Sequence, residues 1–302
     1  MIVQIYEIQT PQEAEICMEL GVDHIGSVIL ELHDWRDTLL RETLWLSEGT
    51  EFKSSLIPLF HDADTTYRVL DYYRPDFIHF CDSLTDEKGK PVMLERFIEF
   101  QSGLRERFPE VGIIRSIPLP REGAFPDFPS LELGRRFQAS SDILLTDTWV
   151  REAPVDGYIG ITGEPVDGRL ASELVVQSRC PVILAGGLSP ENVYEAVMAV
   201  RPEGADSCTQ TNQLTDTGNP MRFEKDFRKV NQFVQEVRRA EMDLREEKNT
   251  LLERLEKLRA DLKDREAALP AHSVRPQQIM AIEALEDEIE TVEKELEKFK
   301  SV

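Results

Sequence analysis

The chain is poor in cysteine, in long apolar runs and in basic charge. Its four cysteines, at positions 17, 81, 180 and 208, form no C-x-x-C pair among 302 residues, which predicts free thiols in a reducing, cytoplasmic setting. No apolar run approaches the roughly 20 residues that span a bilayer, and the N-terminus lacks a basic segment followed by an apolar core. We therefore expect neither a membrane partner nor a secretory signal.

Basic residues are also scarce relative to acidic ones. The chain has 35 Lys and Arg against 57 Asp and Glu, a formal net charge of −22, and most of the excess lies in residues 1–237. A phosphate backbone requires a basic patch, so DNA and RNA are excluded as partners, and an anionic membrane surface is disfavoured for the same reason. Solubility is the simplest role of the acidic excess.

No G-x-G-x-x-G follows the first predicted strand, which disfavours a dinucleotide-binding sheet. Short apolar runs instead alternate with helical patterns from residue 2 to residue 238, in eight strand–helix units. Parallel strands covered by helices produce this alternation, and eight units predict a (β/α)8 TIM barrel over residues 1–240. A doubly wound open sheet is the rival, although it more often has five or six strands.

Residues 241–302 have a different pattern. Apolar residues recur at helical spacing before and after the segment "LPAHSVRP", in which Pro270 and Pro276 bracket a break. We predict an antiparallel helical hairpin of the coiled-coil type. Two helices alone bury little surface, so the hairpin is expected to pack on the barrel or on another copy. A homo-oligomer formed through residues 242–302 is the expectation.

The ends of the predicted strands carry the candidate functional residues, because barrel enzymes build their sites at the carboxyl ends of strands. "AGGLSPEN" follows the seventh strand, and its glycines, Gly186 and Gly187, are suited to backbone contact with a phosphate at a helix N-terminus. A plain tight turn before a Ser189-capped helix explains the same residues. The glycine pair alone does not decide between these interpretations.

Several segments resemble the phosphoribosylanthranilate isomerase family. The most specific is "ILAGGLSPENVYEAV" with "VRPEGAD" after it, and "TPQEAEICMELGVDHIG", "DILLTDT" and "GITG" extend the similarity over about residues 1–237. The resemblance implies a (β/α)8 barrel that isomerises a phosphorylated aldosylamine to a ketose by an Amadori rearrangement in tryptophan biosynthesis. It implies a phosphorylated small-molecule substrate and no cofactor.

The resemblance also implies roles for particular residues. Asp147 matches the general acid, and Arg36 is the candidate for the carboxylate-binding arginine, in a loop one residue longer than in the family. The expected phosphate-binding residues are Gly160, Gly163, Gly186, Gly187, Thr209 and Gln210. Gln210 stands where the family has a glycine.

The first strand departs from the family. The family's Lys-x-Cys-Gly, aligned on Thr10, becomes Ile5, Glu7 and Ile8, and the family's cysteine is the general base. A carboxylate can also remove a proton, so Glu7 is the expected base, although a structural role as a hydrogen-bonded polar group explains it as well.

Two alternatives remain open. Imidazole and thiol groups at strand ends suit a divalent metal, which would make the barrel a metal-dependent isomerase, epimerase or lyase. The candidate ligands are His33, His61, His79 and Cys81 with nearby carboxylates. Alternatively, the altered family positions indicate a barrel that has lost catalysis and serves as a binding or assembly module.

Overall fold

The structure of the protein, a computed structural model, describes residues 1–269 and 275–299. Two compact units, Met1–Ala240 and Glu241–Val302, make up the chain. None of the described helices is long and apolar enough to cross a membrane.

The first unit is a closed barrel of parallel strands in the order β1 to β8, with β8 paired to β1. This confirms the predicted (β/α)8 architecture. The strands are β1 Ile2–Tyr6, β2 His24–Ile29, β3 Lys53–Pro58, β4 Phe77–Phe80, β5 Gly112–Leu119, β6 Ile143–Thr148, β7 Val182–Leu184 and β8 Gly204–Ser207. The helices after them are α1 Pro11–Glu19, α2 Thr38–Trp45, α3 Ala63–Tyr73, α4 Leu94–Arg107, α5 Ser130–Phe137, α6 Gly168–Gln177, α7 Val193–Val200 and α8 Phe227–Ala267.

Local sequence signals fix where several helices begin. Thr10 accepts from the backbone of Glu13, whose side chain bonds back to Thr10, a capping box that starts α1. Three further helices begin at an aspartate whose carboxylate accepts from helix N–H groups: Asp37 for α2, Asp62 for α3 and Asp167 for α6. Each cap satisfies helix N–H groups that would otherwise lack partners, so each strand-to-helix loop enters its helix at a defined residue.

A hairpin after β8 was not predicted. Residues 209–211 form a 3-10 turn, and β9 Asn212–Leu214 then pairs antiparallel with β10 Pro220–Lys225. The sequence predicted a helix from residue 222, but the structure begins α8 at Phe227. The hairpin matters because β10 contributes a charged side chain to the pocket described below.

The second unit consists of the later part of α8 and of α9 Pro276–Glu297. Leu255 and Leu258 of α8 pack with Val292 of α9, and Pro276 occupies the first turn of α9 as predicted. The helices run antiparallel, because Lys248 contacts Phe299 whereas Arg254, further along α8, pairs with the earlier Glu288. Pro270, predicted to bracket the break, lies outside the described residues.

Candidate active site

The carboxyl ends of the barrel strands enclose a pocket. Residues from β1, β2, β3, β4, β6, β7 and β8 and from the loops that follow them line it. Its floor is polar and its β2–β4 side is apolar, through Val28, Ile57, Leu59 and Cys81. The pocket thus lies at the end of the barrel where enzymes of this fold carry out their chemistry.

Two carboxylates belong to this pocket. Asp147 on β6 and Asp206 on β8 both line it; Asp147 is half-buried and Asp206 is only 7% exposed. Burial raises the pKa of Asp147 to about 7, against a weaker opposing effect of the Thr148 N–H. Burial raises the pKa of Asp206 to about 7 as well, and the negative charge of Asp147 contributes to the shift. Each group can hold or release a proton near neutral pH.

Tyr6 and His79 form the polar floor. The Tyr6 hydroxyl lies 2.5 Å from His79 Nδ1 and 2.8 Å from Ser55 Oγ, while His79 Nε2 lies 2.7 Å from Ser116 Oγ. Burial and, to a smaller extent, the Arg115 charge lower the pKa of His79 to about 3, so the ring is neutral. Burial raises the pKa of Tyr6, which keeps its proton. These groups are hydrogen-bonded to one another, and neither is charged at neutral pH.

The glycines after β6 and β7 meet the turn after β8. Gln210 Nε2 donates to the Gly163 carbonyl at 3.0 Å, and a Cβ on Gly187 would lie 2.6 Å from the Glu164 backbone. Gly163, Gly186 and Gly187 all have positive φ. Within the described ranges, the N–H groups of Gly163 and Gly187 donate to no protein acceptor. The structure therefore brings Gly163, Gly186, Gly187, Thr209 and Gln210 together in the lining of the pocket.

Gly160 has a different role from the one expected. It does not line the pocket, and a Cβ in its place would overlap Asp147 Oδ2. Its φ of +92° is a conformation that other residues rarely adopt. Gly160 makes room for the carboxylate of Asp147.

Glu7 is held in a buried ion pair. Its carboxylate accepts from Arg222 Nε at 2.6 Å, from Asn212 Nδ2 at 2.9 Å and from the Phe223 N–H at 3.1 Å, and the residue is 1% exposed. Burial alone would raise the pKa of Glu7, but the hydrogen bonds from Asn212 and Arg222 outweigh it and lower the pKa. A carboxylate so engaged is a poor proton acceptor. The expectation that Glu7 is the base does not fit this geometry.

The register of β1 explains why the sequence indicated Glu7. Gln4 bonds Asp206 and Tyr6 bonds His79, so these two side chains point into the barrel and Ile5 between them does not. Glu7 has φ of +62°, the kind of conformation that favours glycine. The family's Lys-x-Cys-Gly therefore falls on Gln4, Ile5, Tyr6 and Glu7, one residue earlier than the alignment on Thr10. Tyr6, not Glu7, takes the cysteine's place.

Arg36 does not line the pocket. It is exposed, and its guanidinium lies over the rings of Trp35 and Tyr72, 4.9 and 5.5 Å from their centroids. Arg222 of β10 is the cation that lines the pocket instead. No sequence pattern indicated Arg222, because strand–helix alternation does not predict an extra strand at residues 220–225.

The predicted metal ligands are not brought together. His33 is exposed, His61 lies against Asp82 at 3.2 Å, and both ring nitrogens of His79 are hydrogen-bonded within the barrel. Burial also raises the pKa of the Cys81 thiol far above its ordinary value. In residues 1–269 and 275–299, no group of three His, Cys, Asp or Glu side chains is arranged to hold a metal ion.

Comparison with known proteins identifies relatives of the barrel. Residues 110–216 match the family model described as N-(5'phosphoribosyl)anthranilate (PRA) isomerase. The N-(5'-phosphoribosyl)anthranilate isomerase of Methanocella arvoryzae is 27% identical over 238 residues, which cover 78% of this chain and 97% of the relative. That of Methanosarcina acetivorans is 26% identical, covering 78% and 92%. The barrel is similar to phosphoribosylanthranilate isomerases over most of their length.

Solved structures agree on the fold. Phosphoribosylanthranilate isomerase of Pyrococcus furiosus superposes with a TM-score of 0.54 at 20% identity, covering 79% of this chain and 99% of that one. The Thermotoga maritima enzyme gives 0.55 at 19% identity, with the same coverage. A structure of phosphoribosylanthranilate isomerase in complex with reduced 1-(o-carboxyphenylamino)-1-deoxyribulose 5-phosphate gives 0.53 at 18% identity. About a fifth of the chain is not covered by these superpositions.

Proposed function

We propose that the protein isomerises N-(5'-phosphoribosyl)anthranilate to the corresponding ketose phosphate. The observation that carries the proposal is Asp147, a half-buried carboxyl group at the top of β6 that lines the pocket and whose pKa is raised to about 7 by desolvation. A carboxyl group that is largely protonated near neutral pH can give its proton to the ring oxygen and open the sugar ring. The names of the relatives and the complex with a reduced product analogue support the same substrate.

The glycine edge supports a phosphorylated substrate. Gly163 and Gly187 present backbone N–H groups without protein acceptors in the described residues, and glycine allows an anion to approach the backbone. Gln210 stands where the family has a glycine and adds a side-chain amide at this edge. That amide donates to the Gly163 carbonyl. We expect the phosphate of the substrate at this edge.

Arg222 supports an anionic aromatic half of the substrate. Its Nε is bonded to Glu7, and Nη1 and Nη2 have no acceptor in the described part of the chain. Glu7 thus holds the guanidinium at the rim, where it can receive a carboxylate. This is the role that the resemblance assigned to Arg36.

Turnover of N-(5'-phosphoribosyl)anthranilate, followed by loss of its fluorescence, tests the proposal. Wild type should be active, and Asp147→Asn should lose activity by about 10²- to 10⁴-fold, because the variant cannot donate the proton. Asp167→Asn is the matched control: Asp167 is a buried aspartate, it caps α6 outside the pocket, and asparagine is an equally good cap. A folded wild type without turnover would favour the alternative of a binding or assembly module.

Self-association through residues 242–302 is a separate part of the proposal. Several apolar side chains of this unit are exposed: Met242 69%, Leu252 42%, Ile279 46% and Met280 66%. Pairing two such hairpins would cover them and form a four-helix bundle. Light scattering should show the full-length chain as a dimer or larger and a chain ending at residue 241 as a smaller species. An unchanged oligomeric state would rule out this role.

A further inference from the structure

The isomerisation needs a base as well as an acid, and the family's cysteine is absent. Tyr6 occupies its place, but its hydroxyl is hydrogen-bonded to His79 and Ser55 and keeps its proton. Glu7 is engaged with Arg222, Asn212 and the Phe223 N–H. Neither residue is free to accept a proton from the substrate.

We propose that Asp206 is the base that removes the C2 proton of the substrate, in place of the family's cysteine. The assignment rests on the proposed isomerase function. Asp206 lies on β8 in the same pocket as Asp147 and is buried. One of its oxygens, Oδ1, accepts from Gln4 Nε2 at 3.1 Å, and Oδ2 has no hydrogen-bond partner among the described residues. The bond to Gln4 orients the carboxylate and leaves Oδ2 to react.

The position of Asp206 in the barrel also suits the proposed phosphate site and the proposed acid. β8 lies between β7, which carries the glycine pair, and β1, which carries Tyr6. A phosphate bound at Gly187 would therefore lie beside the strand that carries Asp206. Asp206 lines the same pocket as Asp147, whose negative charge raises the pKa of Asp206. Two interacting carboxyl groups near pH 7 favour the state in which one is protonated and the other ionised, which is the state an acid–base pair needs.

The proton transfers balance with these two groups alone. Protonated Asp147 gives its proton to the ring oxygen while the C1–O bond breaks and the nitrogen lone pair forms C1=N. Ionised Asp206 then takes the C2 proton, and the C–H electrons form C1=C2 as the nitrogen regains its pair. In the final step the enol O–H proton passes to Asp147 and the Asp206 proton passes to C1, which gives the ketose and restores both groups. No oxidant, metal or other co-reactant is required.

Asp206→Asn tests the assignment in the full-length protein, with Asp167→Asn as the control. We expect kcat to fall by about 10²- to 10⁴-fold in Asp206→Asn with KM changed only a few-fold, because the amide keeps the shape but cannot accept the proton. Substrate carrying deuterium at C2 should give a larger isotope effect in the variant than in wild type. The acidic limb of the wild-type kcat–pH profile, which reports the ionised member of the pair, should disappear. The control should retain the wild-type rate.

The outcomes separate the two proposals. Wild-type turnover together with an unchanged rate and pH profile in Asp206→Asn would overturn the base assignment and leave the isomerase intact. If Glu7→Gln instead lost kcat and the acidic limb of the pH profile while Asp206→Asn stayed active, the base would be Glu7. A folded wild type that binds inorganic phosphate but does not turn over would refute the isomerase itself. If Asp206→Asn unfolds, the isotope effect of deuterium at C2 is measured in Gln4→Leu instead. A larger isotope effect than in wild type would support Asp206 as a base that Gln4 orients. An unchanged isotope effect would show that the Gln4–Asp206 contact is only structural and would overturn the assignment.

Discussion

Replacing Gly160 by alanine tests whether the β6–α6 loop positions the proposed acid. The added Cβ would lie 2.9 Å from Asp147 Cγ and overlap Oδ2, whereas carbon atoms in contact prefer about 3.5–4.0 Å. The carboxylate must then move by roughly 1 Å. A shift of that size in a reacting group costs about 100-fold in rate. The backbone at φ +92° adds about 1–2 kcal/mol of strain, and the overlap adds about 1–3 kcal/mol.

Gly157→Ala is the matched control in the same loop. Gly157 also has positive φ, +79°, but an added Cβ there would meet nothing within 4 Å. Its variant should lose only the 1–2 kcal/mol of backbone strain and should keep the wild-type kcat. Urea unfolding and steady-state kinetics on the two variants separate strain from displacement. Equal stability losses and equal rates in Gly157→Ala and Gly160→Ala would refute the argument that Gly160 exists to accommodate Asp147.

Two further predictions concern buried charges. The guanidinium of Arg115 is 1% exposed and pairs with the carboxylate of Asp82 at 2.5 Å. Asp82→Ala leaves this buried charge without its partner, so it should lower the free energy of unfolding in urea by about 3–5 kcal/mol. A loss under 1 kcal/mol would contradict this reasoning. For Asp206, burial raises the pKa from 3.8 to about 7 in the folded state, so the stability it contributes is complete below about pH 4 and is lost as pH rises to about 7. His79, with a lowered pKa, has the opposite dependence, so the difference between Asp206→Asn and wild type is the quantity to measure. Between about pH 4 and pH 7, the free energy of unfolding of Asp206→Asn should rise relative to that of wild type by up to about 1.4 kcal/mol per pH unit. A difference that does not change with pH would contradict the buried titration of Asp206.

The barrel was predictable because its strands are buried on both faces. Runs such as "ILLTDT" and "VIL" before a capped helix indicate parallel β/α units without further information. The glycine edge was predictable for a related reason, since glycines between a strand and a helix start imply close approach to the backbone. Asp147 was also found, at the end of its strand.

The rest of the site depends on features that periodicity does not carry. β1 ends at Tyr6, and Glu7, the next residue, has a positive φ. A prediction that continues the strand through Glu7 therefore assigns the inward direction to Glu7, whereas in the structure the inward side chain at the end of the strand is that of Tyr6. Arg222 reaches the pocket through an antiparallel return of the chain after β8, and "TDTGN" before it was not recognised as a hairpin turn. Asp206 lies within a short strand, "GADS", in which strand alternation from the buried Ala205 predicts an inward direction for its side chain.

The most direct test of the account is the rate at which the full-length protein and its Asp147→Asn variant consume N-(5'-phosphoribosyl)anthranilate at neutral pH, followed by loss of anthranilate fluorescence. The account predicts turnover by wild type and a loss of at least about 100-fold in the folded variant. Folded wild-type protein with no turnover, or an Asp147→Asn variant as active as wild type, would contradict it.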